Sequence, residues 1–364
     1  MELRISREPL LKVVQRLQPV AERKSTLPIL GNILISAKAN GVDFYATDLD
    51  IGYRDFTEAE IKKEGTTTVS AKSLHEILRE LPSGIQVRME EEKQRLLLHA
   101  GNSKFRLPTI PPEEFPSFPN YSKESSLDIS SEILSEMIRK TIFAISPDET
   151  RYTLNGVLLQ QDGSELRMIS TDGHRLAMIR KQITAGSPRK AIIPRKALAE
   201  IRRMCEEGPG NLSLILTETH LIVLQGGVIF FSRLIEGEFP DYRQVIPKDC
   251  KRSLSAERKL LWDAAKRVSL LAGERTKPVR LEISAGSLWM RSQTPELGEA
   301  EEQVPVRYEG DEITIGFNGR YITEALAALD SQEVTLELNE SLTPGILRPY
   351  QDDEYLCVIM PMRL

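Results

Sequence analysis

The stretch NILISAKANGVDFYATD (32–48) decides the fold, because its pattern occurs three times along the chain. It consists of two alternating apolar strands joined at Asn40-Gly41, a residue pair typical of a tight hairpin turn. Similar patterns surround Asp162-Gly163 in GVLLQQDGSELRMISTD (156–172) and Ala285-Gly286 in VRLEISAGSLWMRSQT (279–294). The three glycines, at positions 41, 163 and 286, are 122 and 123 residues apart. The sequence therefore predicts a threefold internal repeat.

A repeat of this length is a domain in itself, and three copies account for all 364 residues. A second marker agrees, because FPSFP begins at Phe115 and FPDY at Phe239. Proline-rich segments at 108–122 and 236–249 end the first two repeats, where linkers belong. We predict three similar domains, with boundaries at 1–123, 124–250 and 251–364.

Helical and strand patterns alternate within each repeat, which predicts an α+β fold built from two β-α-β-β-β halves per domain. Apolar spacing of the helical type predicts helices near 7–17, 72–81, 131–143, 195–205, 257–271 and 319–329. Residues that commonly cap helix starts precede four of them, namely Ser6, Ser130, Ser255 and Asn318.

The composition is that of an ordinary water-soluble globular protein, with 28% charged and 40% hydrophobic residues. No apolar run reaches the length of a membrane span, and the N-terminus lacks the apolar core of a signal peptide. Cys205, Cys250 and Cys357 are widely spaced and odd in number, which fits a reducing compartment and buried, inert thiols. We expect a cytoplasmic protein.

Charge is unevenly placed along the chain. The formal net charge is −5, yet the six predicted helices are collectively basic. One interpretation is that the helices face a polyanion. The other is that Lys and Arg, as good helix formers, cover solvated faces, and charge counting alone slightly favours this second interpretation.

Six motifs are spread over the full length of the chain: TLPILGN (26–32), ATDLD (46–50), RYTLNG (151–156), STDGHRLA (170–177), FPDYR (239–243) and VIMPMRL (358–364). In sequence and in order they resemble those of the bacterial DNA polymerase III β subunit family, the sliding clamps. The resemblance implies a homodimer of three-domain protomers closed head to tail into a ring, with inner helices and outer antiparallel sheets. Such a ring encircles duplex DNA without sequence preference and acts as a processivity factor. The implied location is the cytoplasm, in association with the nucleoid.

The resemblance also implies DNA contacts on the inner surface. They fall at Lys24, Lys72, Tyr152, Arg195 and Lys196, and helix charge alone adds Arg202 and Arg203. Some family members carry glutamine at the position of Asp148 and a second tyrosine at the position of Thr153. An acidic Asp148 beside DNA repels phosphate, so we expect the loop near 148–153 to contact DNA differently here.

A pocket for partner peptides is implied between the second and third domains. Its occupants in the family are short hydrophobic motifs of the polymerase III α subunit, the clamp loader, other polymerases and repair proteins. By resemblance to the family, the pocket wall comprises Leu154, Thr171, Gly173, His174, Arg175, Leu176, Pro240, Val245, Asn318, Tyr321, Val358, Met360, Pro361, Met362, Arg363 and Leu364. Adaptable methionines suit a pocket that accepts several ligands. The alternative is that VIMPM is simply the last core strand, and Gln244 departs from an arginine that is frequent in the family.

Ring closure implies an interface between the first domain of one protomer and the third of the other. The resemblance points to Phe105 and Leu107 meeting Leu270 and Leu271. Opposite charges flank these apolar residues, with Lys104 and Arg106 on one side and Glu299, Glu301 and Glu302 on the other.

No catalytic or cofactor-binding motif is present, so we predict no catalysis, no metal and no cofactor. The chain lacks a Walker motif, a GxGxxG, a GxSxG and a HExxH. Two alternatives stay open at this point. A metal-dependent phosphate-processing enzyme needs Asp48, Asp50, Asp172 and His174 to converge, and a non-ring DNA-binding regulator needs affinity for short linear duplexes.

Overall fold

The computed structural model describes residues 1–21, 27–122, 126–208, 210–273 and 277–363. Six α-helices lie in these ranges, close to the predicted positions. They are α1 (Arg7–Leu17), α2 (Ala71–Glu80), α3 (Ser131–Arg139), α4 (Arg195–Glu207), α5 (Arg258–Val268) and α6 (Gly319–Ala327).

The strands alternate with these helices. Those of the N-terminal third are β1 (Glu2–Ser6), β2 (Asn32–Lys38), β3 (Gly41–Thr47), β4 (Ile51–Thr57), β5 (Glu60–Lys63), β6 (Gly65–Ser70), β7 (Gln86–Glu92), β8 (Arg95–Ala100) and β9 (Ser103–Pro108). Those of the middle third are β10 (Leu127–Ser130), β11 (Gly156–Thr171), β12 (Arg175–Pro194), β13 (Asn211–Leu216), β14 (His220–Gln225) and β15 (Val228–Arg233). The last are β16 (Arg252–Glu257), β17 (Pro278–Ser284), β18 (Ser287–Thr294), β19 (Gly298–Pro305), β20 (Ile313–Asn318), β21 (Glu333–Leu338), β22 (Gly345–Pro349) and β23 (Tyr355–Ile359).

The predicted β-α-β-β-β unit is visible in this element order. It occurs as β1-α1-β2-β3-β4 and, after the short β5, as β6-α2-β7-β8-β9, and again as β16-α5-β17-β18-β19 and β20-α6-β21-β22-β23. The hairpin expected at Asp162-Gly163 is wrong, because β11 continues through these residues and both of its halves pair with the long strand β12, with register shifts on both sides of Gly163. The hairpins at Asn40-Gly41 and Ala285-Gly286 are confirmed by the pairs Lys38↔Gly41 and Ser284↔Ser287.

The described residues form two compact units. Unit 1 contains residues 1–131 and 203–234, and unit 2 contains residues 132–202 and 235–364. Unit 1 has a sheet of order β5-β1-β7-β8-β9 and an eight-stranded sheet of order β10-β13-β14-β15-β4-β3-β2-β6. Unit 2 has sheets of order β11-β12-β23-β22-β21-β16 and β19-β18-β17-β20.

Each unit therefore contains one sheet shared by two repeats. In unit 1, β15 pairs antiparallel with β4, from Ile229↔Arg54 to Ser232↔Ile51. In unit 2, β12 pairs antiparallel with β23, from Arg175↔Ile359 to Ile179↔Tyr355. Backbone hydrogen bonding continues across both repeat junctions, which explains why the compact units do not follow the repeats.

The helix starts follow local capping chemistry only in part. Asn318 caps α6 by accepting a hydrogen bond from the Arg320 amide, as expected. Ser6 is the residue before α1 but makes no side-chain cap, because its hydroxyl accepts from Gln86 instead. The expected cap at Ser255 is wrong, since this residue lies within β16. Ser70, which the sequence reasoning missed, caps α2.

Buried apolar side chains hold each unit together. In unit 1 a cluster with Tyr45 at its centre packs aromatic rings edge to face, at 5.2 Å from Phe115 and 5.4 Å from Phe118. In unit 2 the corresponding cluster comprises Leu158, Ile169, Leu176, Ile192, Tyr242, Ile346, Leu356 and Val358. Cys205 and Cys357 are buried as expected, whereas Cys250 is only half-buried, which corrects that expectation.

Candidate functional sites

The turn from Thr171 to Arg175 joins β11 to β12 and organises one candidate site in unit 2. Side chains of the turn form hydrogen bonds with its own backbone. The Asp172 carboxylate accepts hydrogen bonds from the His174 amide at 2.9 Å and the Arg175 amide at 3.0 Å. The Thr171 hydroxyl donates to the Arg175 carbonyl at 2.7 Å. Gly173 has a φ of +87°, which only glycine adopts without strain. The motif STDGHR thus specifies its own conformation.

Arg175 anchors this turn to two other elements. Its Nε donates to Asp172 at 3.0 Å, its Nη1 to Glu324 of α6 at 2.5 Å and its Nη2 to the Phe143 carbonyl at 2.6 Å. The guanidinium also lies 4.5 Å from the Tyr321 ring centroid. With 5% of its side chain exposed, Arg175 is a fully coordinated buried cation rather than a charge offered to solvent.

An apolar strip lies beside the turn. Leu176 pairs with Val358 across β12 and β23, and both are buried in the unit 2 cluster. Val245 packs against that cluster and is partly exposed. Two backbone bonds fix the following segment, from the Met360 amide to the His174 carbonyl at 2.9 Å and from the Met362 amide to the Gly316 carbonyl at 2.8 Å. The C-terminal segment is thereby attached both to the turn and to β20. We call Leu176, Val358, Val245, Met360 and Met362 the groove.

The expected pocket residues differ in exposure. Leu154, Arg175, Leu176 and Val358 are buried, so Val358 is a core residue, as the alternative interpretation held. Partly exposed are Thr171, Val245, Asn318, Tyr321, Met360, Pro361 and Met362, and well exposed are Gly173, His174, Pro240 and Arg363. Leu364 lies outside the described residues. Gln244 donates its side-chain amide to Asp241 at 3.2 Å, a local role within its own turn.

A cavity of about 650 Å³ adjoins the groove. It shares His174, Arg175 and Tyr321 with the expected pocket wall. The rest of its lining is both charged and apolar: Ile142, Phe143, Ile145, Ser146, Pro147, Asp148, Arg151, Asp172, Arg195, Arg320 and Glu324. Sequence reasoning missed Asp172, Glu324 and Phe143 as members of this site. Only Asp172 carried a signal, as the Asp of an Asx turn.

The expected DNA contacts are mostly solvent-facing. Lys72, with 63% of its side chain exposed, lies 3.8 Å from Glu76, and Tyr152 is 75% exposed. Lys196 and Arg202 are exposed on α4. Arg195 donates to the Ile145 carbonyl at 3.0 Å. Lys24 lies outside the described residues.

Arg203 differs from its neighbour Arg202. Its Nη2 donates to the Arg16 carbonyl at 3.1 Å, its Nε lies 3.6 Å from Glu207, and its guanidinium lies 5.7 Å from the Tyr53 ring centroid. These contacts hold the side chain within unit 1. Arg203 therefore has a structural role that helix charge alone could not indicate.

The negative charge of Asp148 is compensated by contacts within its own loop. Its carboxylate accepts from the Thr150 hydroxyl at 2.7 Å and the Thr150 amide at 3.0 Å, and lies 3.5 Å from Arg151. The hydrogen bonds from Thr150, followed by the charge of Arg151, lower the pKa of Asp148. The neighbouring Arg151 is the compensation that the sequence could not reveal.

The candidate interface residues lie on exposed features. Phe105 and Leu107 point partly outward from β9, at the edge of its sheet, between exposed Lys104 and Arg106. In unit 2, Leu270 is 72% exposed and Leu271 is half-buried after α5. Glu299 and Glu301 are exposed on the edge strand β19, whereas Glu302 is held by Arg267 at 2.5 Å.

The acidic residues considered for metal binding are used by their own turns. Asp48 accepts from the Asp50 and Ile51 amides at 3.0 and 2.8 Å, and Asp172 pairs with Arg175. Within the described ranges, no group of three or more His, Cys, Asp or Glu side chains is arranged to hold a metal ion. Among these same residues, no helix is long and apolar enough to cross a membrane.

Comparison with known families accounts for nearly the whole chain. Residues 1–119, 128–241 and 243–363 match the N-terminal, central and C-terminal domains of the DNA polymerase III beta subunit. The beta sliding clamp of Pseudomonas aeruginosa is 35% identical over 367 aligned residues, covering 100% of both chains.

Solved structures agree with this match. The DNA polymerase III subunit beta from Pseudomonas aeruginosa superposes with a TM-score of 0.97 at 34% identity, covering 100% of both chains. The DNA polymerase sliding clamp from Bacillus subtilis gives a TM-score of 0.96 at 30% identity, covering 100% of this chain and 99% of its own.

Proposed function

The chain belongs to the DNA polymerase III beta subunit family, the bacterial beta sliding clamps, and we propose which of its residues carry each part of a clamp's task. It is a non-catalytic sliding clamp of DNA replication with the three-domain clamp fold. The family membership disfavours both the phosphate-processing enzyme and the non-ring DNA-binding regulator. We infer domain boundaries at 1–123, 124–250 and 251–364, and a location in the cytoplasm on the nucleoid.

We propose that two copies close head to tail into a ring. The edge strands β9 and β19 each leave one side free of strand partners in the described chain, and exposed edges readily pair with another chain. Leu270 supplies an exposed apolar anchor, and Phe105 and Leu107 are its proposed partners. Lys104, Glu299 and Glu301 add opposite charges that fix the orientation.

Paired replacement of Leu270 and Leu271 by alanine tests this interface. The variant should sediment as a monomer at concentrations where the native chain is dimeric. Leu342→Ala, at an exposed leucine outside β9, β19 and the end of α5, is the matched control and should remain dimeric. A double variant that still sediments only as a dimer would refute the interface.

The inferred task needs sequence-independent contact with duplex DNA, because base-specific bonds would hold a clamp at one site. The exposed side chains of Lys72, Tyr152, Lys196 and Arg202 support this role, and the family resemblance adds Lys24. Arg195, which the resemblance also implies, instead lines the cavity beside the groove. Charged groups of this kind attract phosphate over a distance and release it easily, which permits sliding.

Retention on nicked circular DNA after loading, compared with the same DNA linearised, tests topological linkage. Retention on circles and loss from linear ends at about 0.5 M salt is expected, since salt suppresses ordinary phosphate contacts. Equal loss from both forms would contradict an encircling ring.

We propose that the groove binds the hydrophobic motifs of the polymerase III α subunit, the clamp loader, other polymerases and repair proteins. The observation that supports it best is a partly exposed apolar edge, Val245, Met360 and Met362, directly beside a fully packed floor. A rigid floor with adaptable methionines at the rim suits several related peptides. The neighbouring His174 and Arg363 offer polar contacts at the rim.

Met360→Ala tests the groove through the affinity of a fluorescent peptide with aliphatic and aromatic anchors. Loss of a central contact should weaken binding by about tenfold. Leu297→Ala should leave the affinity unchanged, and equal affinities for all three proteins would place the peptide elsewhere.

A further inference from the structure

We propose that the cavity beside the groove binds a single carboxylate of the partner peptide, from an acidic side chain or from the peptide's C-terminus. The inference rests on the proposed function of the groove, and it adds the chemical class of one flanking group. The proposal is based on the cavity lining, in which positively charged side chains outnumber carboxylates.

Four arginines and three carboxylates line the cavity. Most of these charges are already paired: Arg175 with Asp172 and Glu324, Arg320 with Glu324 at 2.7 Å, and Arg151 with Asp148. Arg151 also donates to the Asp172 carbonyl at 3.0 Å. One positive charge is left over among the lining residues.

Arg195 carries that remaining charge. Its guanidinium donates to the Ile145 carbonyl, and within the described ranges no carboxylate forms an ion pair with it. Partial burial, and next the positive charge of Arg175, lower the pKa of Arg195. The arginine therefore sits where a further negative charge is favourable, and its planar fork suits a carboxylate.

The cavity favours a peptide carboxylate over a phosphate of duplex DNA. A duplex brings a continuous row of phosphates, whereas the lining offers one excess positive charge. A single carboxylate neutralises the one excess charge and brings no others. Apolar walls at Ile142, Phe143 and Pro147 can also accept the methylene groups of an acidic side chain.

The position of the cavity links it to the groove. His174 lines the cavity, and its carbonyl accepts a hydrogen bond from the Met360 amide of the groove at 2.9 Å. A peptide whose apolar anchors fill the groove therefore passes the cavity within a few residues. Its acidic group would reach Arg195 from the flank of the motif.

The experiment measures fluorescence anisotropy with anchor peptides that differ by one Glu→Gln change at successive flanking positions, each with a free or amidated C-terminus. The peptide with Glu at one of these positions, or the peptide with a free C-terminus, should bind about tenfold more tightly than the matching neutral peptide. Arg195→Gln should remove this preference and leave the affinity of the neutral peptide unchanged. The control Arg280→Gln removes an exposed arginine paired with Glu282 and should keep the preference. Arg320→Gln, as a second cavity variant, should reduce the preference.

The outcomes separate this inference from the proposed groove. Binding of neutral and acidic peptides with equal affinity overturns the carboxylate site and leaves the groove intact. No binding of any peptide overturns the groove. A preference that persists in Arg195→Gln, or an equal loss for both peptides, also overturns the carboxylate site. Competition by short duplex DNA is a further test. If it abolishes the preference in the native protein, the cavity is a phosphate site and the carboxylate site is overturned.

Discussion

Two arginine networks, one in each unit, differ in their charge balance. In unit 1, Arg16 pairs with Asp55 and Glu207, and Arg203 adds a second cation beside Glu207. Two cations there meet two carboxylates. In unit 2, the network around Arg175 continues into a cavity whose lining has one cation too many. A balanced network holds elements together, whereas an unbalanced one next to open space can also bind a ligand.

The largest expected effect is that of Arg175→Met. Removing this guanidinium leaves Asp172 and Glu324 without their shared partner, and breaking a buried pair in this way costs about 3–5 kcal/mol of unfolding free energy. Urea unfolding monitored by circular dichroism measures the loss. Arg280→Met, on an exposed strand position, is the control. A loss below about 1 kcal/mol would show that the turn does not depend on its arginine.

The two adjacent arginines of α4 differ in the same way, because Arg203 is held within unit 1 and Arg202 is exposed. Arg203→Gln should lower the unfolding free energy by about 1–3 kcal/mol, because it removes the donor to the Arg16 carbonyl and leaves Glu207 with Arg16 as its remaining cation. Its effect on DNA association should be small. Arg202→Gln should do the reverse, reducing the salt dependence of DNA binding by about one phosphate contact. The assignment fails if both variants change the salt dependence equally.

Helices and hairpins that depend on local sequence patterns could be predicted from the sequence. The helix α1 begins and ends as predicted, at Arg7 and Leu17, because its apolar spacing is regular. The hairpin at Asn40-Gly41 was equally visible, since that pair favours one turn type. The cap at Ser255 failed because tertiary strand pairing with β21 extends to Glu257 and delays the start of α5.

The rest depends on contacts between distant parts of the chain. Arg175 and Glu324 are 149 residues apart, and no local pattern shows that one buries its charge against the other. The distinction between Arg202 and Arg203 likewise depends on Arg16, which is 187 residues away from Arg203. The pocket residues carried over by resemblance gave the neighbourhood, but not which of them form the floor, the rim or the ionic network.

The two networks should also respond oppositely to pH. Burial raises the pKa of Asp55 despite the charge of Arg16. Burial acts the same way on Glu324, but hydrogen bonds from Arg320 and Arg175 outweigh it and lower the pKa. The contribution of Asp55 to stability is therefore complete below its ordinary pKa of 3.8 and declines as the pH rises through the folded value. That of Glu324 is complete above 4.5 and is lost as the pH falls through its folded value.

Urea midpoints of the native chain, Asp55→Asn and Glu324→Gln between about pH 3 and pH 6 measure these slopes. The stability advantage of the native chain over Asp55→Asn should shrink as the pH rises, and its advantage over Glu324→Gln should grow. Parallel slopes would contradict the assigned difference between the networks.

The smallest expected effect is that of Asp148→Asn, at the border of the unbalanced network. Asparagine keeps the side-chain oxygen that accepts from the Thr150 amide and hydroxyl, so the loop should persist. Only the half-exposed pair with Arg151 is lost, and a solvent-exposed pair of this kind contributes little to stability. DNA association measured at low salt should strengthen by no more than about threefold, because Arg151 already offsets the carboxylate and salt screens the remainder. A tenfold gain would mean that Asp148 faces phosphate directly, and Asp148→Ala, which also removes the Thr150 contacts, would then separate the effect of charge from that of loop order.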